Sequence, residues 1–151
     1  MPRTTAALLL SASFAMSAQA AQVSLPQQAT LYKSPSCGCC AAYADYLESR
    51  GVAVQVVQTQ DLGETKSRLG IPHGLGSCHS LEMDGYVIEG HVPGAALDRL
   101  FTERPEVAGI ALPGMPAGTP GMPGERQQEL TVHQFDDEST ATFMILPAEA
   151  G

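Results

Sequence analysis

The sequence has little positive charge. Eight Lys and Arg face sixteen Asp and Glu, a net charge of −8, and no run of five basic residues occurs. Nucleic acids are polyanions gripped through a basic footprint, so this composition argues against a nucleic-acid partner. The same acidity favours the attraction of cations. Beyond the first twenty residues no apolar stretch approaches the ~20 residues that cross a bilayer, which removes a membrane span from the mature chain. Cysteines are few, four in 151 residues. They supply one C-x-x-C pair where a zinc ribbon needs two, and their spacing matches none of the common iron–sulfur runs.

What is present begins with a leader. Arg3 gives a positive start, residues 6–16 are apolar with small side chains, and Ala18-Gln19-Ala20 is an A-x-A cleavage site. The expectation is a signal peptide over residues 1–20 and a mature chain of residues 21–151 that is exported. No cysteine sits near the cleavage site, which excludes a lipid-anchored version. The mature length suits one domain and is enough to bury a core without disulfide staples.

Three of the four cysteines lie within four residues, Cys37-Gly38-Cys39-Cys40, and the fourth stands in Ser77-Cys78-His79. Three thiols so close cannot all pair with one another in relaxed disulfides, because the geometry of the S–S bond is narrow. In an oxidising compartment such thiols must cycle between redox states, be kept reduced, or hold a metal.

The surrounding pattern places them. Residues 29–33 are β-prone and end at Ser34-Pro35-Ser36. A helix is expected over 39–50, with Cys39, Cys40, Tyr43, Ala44 and Leu47 on related faces and Gly51 as its stop. A strand follows at 52–58, then a short helix capped by Asp61 and running to Leu69. Strands at 78–83 and 86–89 flank the Asp84-Gly85 turn, and a helix at 94–103 ends before Pro105. The order strand-helix-strand-helix-strand-strand-helix is that of an α/β, thioredoxin-like domain, with the first cysteine where strand one turns into helix one. Residues 112–124 contain Pro-Gly-Met-Pro twice, seven residues apart, and read as a Pro/Gly/Met loop without regular structure. Residues 130–135 and 140–146 read as a C-terminal hairpin.

Two chemistries compete for the cluster. Cys37 and Cys40 at a helix start are the arrangement of a thiol–disulfide oxidoreductase, Cys37 as nucleophile and Cys40 as resolving thiol. Cys39 is then a competing partner. For a metal, all four sulfurs are useful: thiolates favour soft Cu(I), and Zn(II) to a lesser degree, and sulfur can bridge ions into a multinuclear cluster. On that reading the candidate ligands are Cys37, Cys39, Cys40, Cys78 and His79, with thioethers Met115 and Met122 from the loop. Each has an ordinary alternative: His79 as a plain strand histidine and the methionines as packing. His91 is a weaker candidate as ligand or supporting group. His73 and His133 read as surface residues, Met83 and Met144 as core.

Taken together, Tyr32-Lys33-Ser34-Pro35, Cys37-Gly38-Cys39-Cys40, Ser77-Cys78-His79, Asp84-Gly85-Tyr86-Val87-Ile88-Glu89-Gly90-His91-Val92-Pro93 and Pro113-Gly114-Met115-Pro116 resemble the CopG-type periplasmic copper-resistance proteins. The resemblance covers about residues 29–124. It implies a thioredoxin-like fold, a periplasmic location, copper as the bound ion and a role in copper tolerance. It further implies Cys37, Cys39, Cys40 and Cys78 as the main sulfur ligands, with His79 and the methionine loop beside them. Copper-export or redox proteins are the implied partners, and copper redox or transfer the implied activity. No residue is singled out as catalytic.

Overall fold

Ala29 and Leu31 alternate with more exposed neighbours, and β1 (Gln28–Lys33) forms on that alternation. The computed structural model describes residues 24–149; the expected leader, residues 1–20, lies outside them. After β1 come α1 (Gly38–Ser49), β2 (Ala53–Gln58), α2 (Leu62–Arg68), β3 (His79–Met83), β4 (Tyr86–Glu89), α3 (Gly94–Glu103), β5 (Gly109–Ala111), β6 (Leu130–Phe135) and β7 (Thr140–Leu146). The boundaries follow local chemistry. Asp61 caps α2, its carboxylate accepting from the Glu64 amide at 2.8 Å. Asp84 and Gly85 both take positive φ, 48° and 87°, the backbone of a tight hairpin turn between β3 and β4. Arg104 ends α3 in the left-handed region ahead of Pro105.

The protein is an α/β fold built on one seven-stranded sheet of order β2-β1-β3-β4-β5-β6-β7. β1 runs parallel to β2 and antiparallel to β3, and β3 is antiparallel to β4. Strand alternation then assigns the faces. His79, Leu81 and Met83 point to the side where Tyr43 and Leu47 of α1 and Leu97 and Leu100 of α3 close the core. Ser80 points to the opposite side, where Lys66 of α2 meets it.

Two details depart from the expected elements. Cys78 precedes β3 instead of opening it, so its side chain is set by the loop. The other is β5, three residues that the pattern did not reveal. It lies parallel to β4 and antiparallel to β6, and so joins the C-terminal hairpin to the main sheet. Residues 112–124 contain no helix or strand, as expected.

β5 can pair on both sides only because its first residue has no side chain. A Cβ on Gly109 would collide with the Val87 carbonyl and the Phe135 ring. We expect Gly109→Ala to lower unfolding free energy by roughly 2–3 kcal/mol, as overpacking does. Gly38→Ala, where a Cβ meets open space, should stay within about 1 kcal/mol of the parent. Urea denaturation of the two variants checks the contrast.

Candidate metal centre

The turn between β1 and α1 delivers the first three cysteines. Cys37 occupies the N-cap position of α1 without a side-chain capping bond, and its amide donates to the Ser34 carbonyl at 3.2 Å. Cys39 and Cys40 then fall in the first helical turn. Cys40 faces the core and is fully buried, whereas Cys37 and Cys39 are half-buried at the surface. Cys37 and Cys40 are joined by a disulfide; Cys39 and Cys78 are free thiols.

Cys78 comes from the other side of the sheet end, one residue before β3. Cys39 Sγ lies 3.5 Å from Cys37 Sγ and 3.8 Å from Cys78 Sγ, so it sits between the disulfide and the fourth cysteine. Cys78 Sγ in turn lies 3.5 Å from His79 Nδ1 and 3.1 Å from His91 Nε2. Two overlapping groups result, the four cysteines and Cys78-His79-His91, each with its ligand atoms within 4.8 Å of one another. Tyr43, one helical turn beyond Cys39 and Cys40, forms the back wall. Its ring centroid lies 4.7 Å from that of His79 and 5.5 Å from that of His91, and its hydroxyl donates to the Val92 carbonyl at 2.9 Å.

The loop carrying Cys78 is held from beneath by a buried carboxylate. Glu89 of β4 is fully buried. It accepts from the Ser77 amide at 2.5 Å and the Ser80 hydroxyl at 2.6 Å, and it pairs with the Lys66 ammonium. From above, residues 112–124 pack on the site by their backbone. Gly114 contacts Gly76 and Ser77, and the Pro120 carbonyl lies 2.7 Å from His91 Nδ1. Gly121 rides on the start of α1. Met115 is 54% exposed and Met122 half-buried.

The electrostatics favour neutral groups before metal arrives. Burial, then the nearby Cys39, raises the pKa of the Cys78 thiol. Burial pushes His79 down to about 3, with the charges of His91 and Lys66 acting in the same direction. Burial also lowers His91. Neutral imidazole is the ligating form, and a soft cation would displace the Cys78 proton on binding. His79 Nε2 is buried without a hydrogen-bond partner among the described residues. Such an atom is rare in a native fold and signals a missing partner. The donor set therefore fits a soft, thiophilic ion.

Two solved structures, named as copper resistance protein copG, form 1 and form 2, are similar to this chain. Each is 37% identical to it at a TM-score of 0.74; the alignments cover 82% and 81% of this chain and 99% of each of those chains. This chain belongs to the CopG copper-resistance protein family. A family model described as "Protein of unknown function, DUF411" matches residues 75–122, the span that carries Cys78, His79, His91 and most of the Pro/Gly/Met loop. No curated protein matches the chain.

Within this CopG-family chain, the four cysteines and His79 are brought together. His91, which sequence reasoning ranked behind His79, stands nearer to Cys78 than His79 does. The signal for it was its place in Gly90-His91-Val92-Pro93, a breaker-flanked segment just beyond a strand that pairs with the one Cys78 precedes. His73 is exposed and His133 half-buried; Met83 is in the core and Met144 packs at its edge.

The depressed histidines make stability depend on pH. An unfolded histidine binds a proton near pH 6.5, whereas His79 in the fold resists protonation down to about 3. Between these values the unfolded chain binds more protons, so stability is intact above pH 6.5 and is lost as pH falls toward 3. We expect His79→Gln to flatten the decline in melting temperature of the metal-free protein below pH 6.5. An unchanged slope across that range would show that His79 does not carry it.

Proposed function

We propose that this protein is an exported copper-binding protein of copper resistance, holding Cu(I) as cargo in a cysteine-thiolate site that accommodates more than one ion. The observation that carries the reading is the convergence of four sulfurs and two neutral imidazoles at one end of the sheet. Thiolate is the soft donor that selects Cu(I) over harder ions. Four thiolates plus imidazole exceed the needs of one tetrahedral ion, which favours sulfur bridging between ions. Kinship with proteins named for copper resistance supports the same assignment. Cys37, Cys39, Cys40 and Cys78 are the proposed sulfur ligands, with His79 and His91 as nitrogen donors and Met115 and Met122 as outer thioethers. Residues 21–151 are read as one thioredoxin-like domain, supported by the strand order β2-β1-β3-β4 and by cysteines at the β1–α1 turn. The A-x-A leader supports a periplasmic location. Among the described residues no helix is long and apolar enough to cross a membrane.

The Cys37–Cys40 disulfide favours a second reading. A C-x-x-C disulfide at a helix start is the resting state of a thiol–disulfide oxidoreductase, whose oxidised pair accepts two electrons from a substrate dithiol. Cys39 separates the readings, because a metal centre uses it and a C-x-x-C redox cycle does not.

Anaerobic titration of the fully reduced protein with Cu(I) should show uptake of more than one ion per chain, with thiolate-to-copper absorption in the ultraviolet. Uptake of a single zinc in preference to copper would overturn the proposal. Cys39→Ser should lower copper stoichiometry and weaken retention against a chelator. If that variant keeps full copper binding and also exchanges disulfides with a test dithiol, the oxidoreductase reading replaces the copper one.

Met115→Leu with Met122→Leu removes both thioethers while keeping approximate volume. We expect the double variant to lose copper faster with little change in the melting temperature of the metal-free protein. Unaltered retention would return both methionines to a packing role.

A further inference from the structure

The repeated Pro-Gly-Met-Pro sequence is tied to the metal centre by contacts that do not involve sulfur. We propose that the turn formed by residues 119–122 is a positioning device, its Pro120 carbonyl fixing His91 as the Nδ1–H tautomer so that bare Nε2 faces Cys78. The inference rests on the metal-centre reading and deepens it.

The argument is one of donor accounting. A carbonyl oxygen can only accept, so His91 Nδ1, 2.7 Å from Pro120 O, must carry the proton. In the neutral ring that is the only N–H, and Nε2 is left with its lone pair. That lone pair lies 3.1 Å from Cys78 Sγ. A histidine ligand held by a carbonyl on its other nitrogen is the usual way proteins orient an imidazole toward a metal. His79 is held differently: its Nδ1 faces Cys78 at 3.5 Å, and its Nε2 makes no well-formed hydrogen bond among the described residues, with only a weaker backbone interaction at Gly90. The two histidines are therefore unlike in how firmly the far nitrogen is held.

The turn explains why the carbonyl is available. The Met122 amide donates to the Thr119 carbonyl at 2.9 Å, which closes a four-residue turn around Pro120 and Gly121. Proline second and a glycine with φ of 80° third is the type II pattern. The Pro120 carbonyl takes no part in closing the turn. Gly121 is also required by contact: a Cβ there would lie 2.8 Å from the Tyr43 amide and 2.9 Å from the Cys39 carbonyl. Thr119 is buried and anchors the turn through its hydroxyl, which donates to the Pro116 carbonyl at 2.7 Å. The first Pro-Gly-Met-Pro copy makes a parallel contact. The Gly114 amide donates to the Gly76 carbonyl at 3.2 Å, and its own carbonyl accepts from the Ser77 hydroxyl. One copy thus grips the residues before Cys78, and the other grips His91 and the start of α1.

The test is long-range 1H–15N correlation of the imidazoles in metal-free, reduced, 15N-labelled full chain at pH 8, with His91 assigned by loss of its signals in His91→Gln. The proposal expects a protonated Nδ1 and a bare Nε2 for His91 in the wild type. Gly121→Ala, whose new methyl lifts the turn from α1, should shift His91 toward a mixture of tautomers and weaken Cu(I) retention about 10-fold or more, as loss of a supporting partner does. Thr119→Val, which deletes the hydroxyl bond to Pro116, provides the same comparison if Gly121→Ala does not fold. A wild-type His91 protonated on Nε2 overturns the proposal, as does a folded turn variant that keeps the pure Nδ1–H pattern. Because the tautomer is read without metal, the two proposals fail separately. A wild type that holds no Cu(I) overturns the copper reading, and a wild type that holds copper with the wrong tautomer overturns this one.

Discussion

A single buried carboxylate ties the halves of this molecule together. Glu89 lies in β4, next to the strand that follows Cys78, and no part of it reaches solvent. A charge so placed is tolerated only when its oxygens are fully engaged. Here they are engaged by an ammonium from α2, a hydroxyl from β3 and the backbone amide of Ser77. That set joins one helix, two strands and the cysteine loop. The loop that presents Cys78 is consequently held by the same bonds that dock α2 on the sheet, and its position is a property of the fold.

The sulfur chemistry rests on this frame. Four sulfurs share too little space for independent behaviour, so each use of them excludes another. A disulfide between Cys37 and Cys40 removes two of the proposed thiolate ligands and leaves Cys39, Cys78 and two imidazoles. Opening that bond takes two electrons and restores two thiols, which deprotonate as metal binds. In the proposed metal centre, metal occupancy and disulfide formation would compete for the same atoms, and the redox state of Cys37 and Cys40 would set which donors remain.

Much of the frame was legible before any coordinates. A β-prone run ending at Ser34-Pro35-Ser36 marked β1, the Asp84-Gly85 pair marked the hairpin, and Asp61 marked the start of α2, because each rests on local backbone chemistry. β5 was not legible. Gly109-Ile110-Ala111 is too short to show a period, and it becomes a strand only because β4 and β6 lie on either side of it. The cysteine cluster was legible because its spacing is unusual in itself. The closeness of His91 to Cys78 was not, since it depends on the antiparallel pairing of β3 and β4 and on a carbonyl 29 residues away in the chain. The expected importance of the Pro/Gly/Met loop had a sound basis in composition, but sequence draws the eye to sulfur and gives no sign of where a carbonyl will point.

Tyr43 has a consequence of another kind. The chain contains no tryptophan and four tyrosines. One of the four is fully buried with its ring against both histidines. Its ultraviolet emission therefore originates within a few ångströms of the site, in a protein with no indole to mask it. The chain thus carries an intrinsic optical probe of its own centre, sensitive to whatever occupies or oxidises it and requiring no added label.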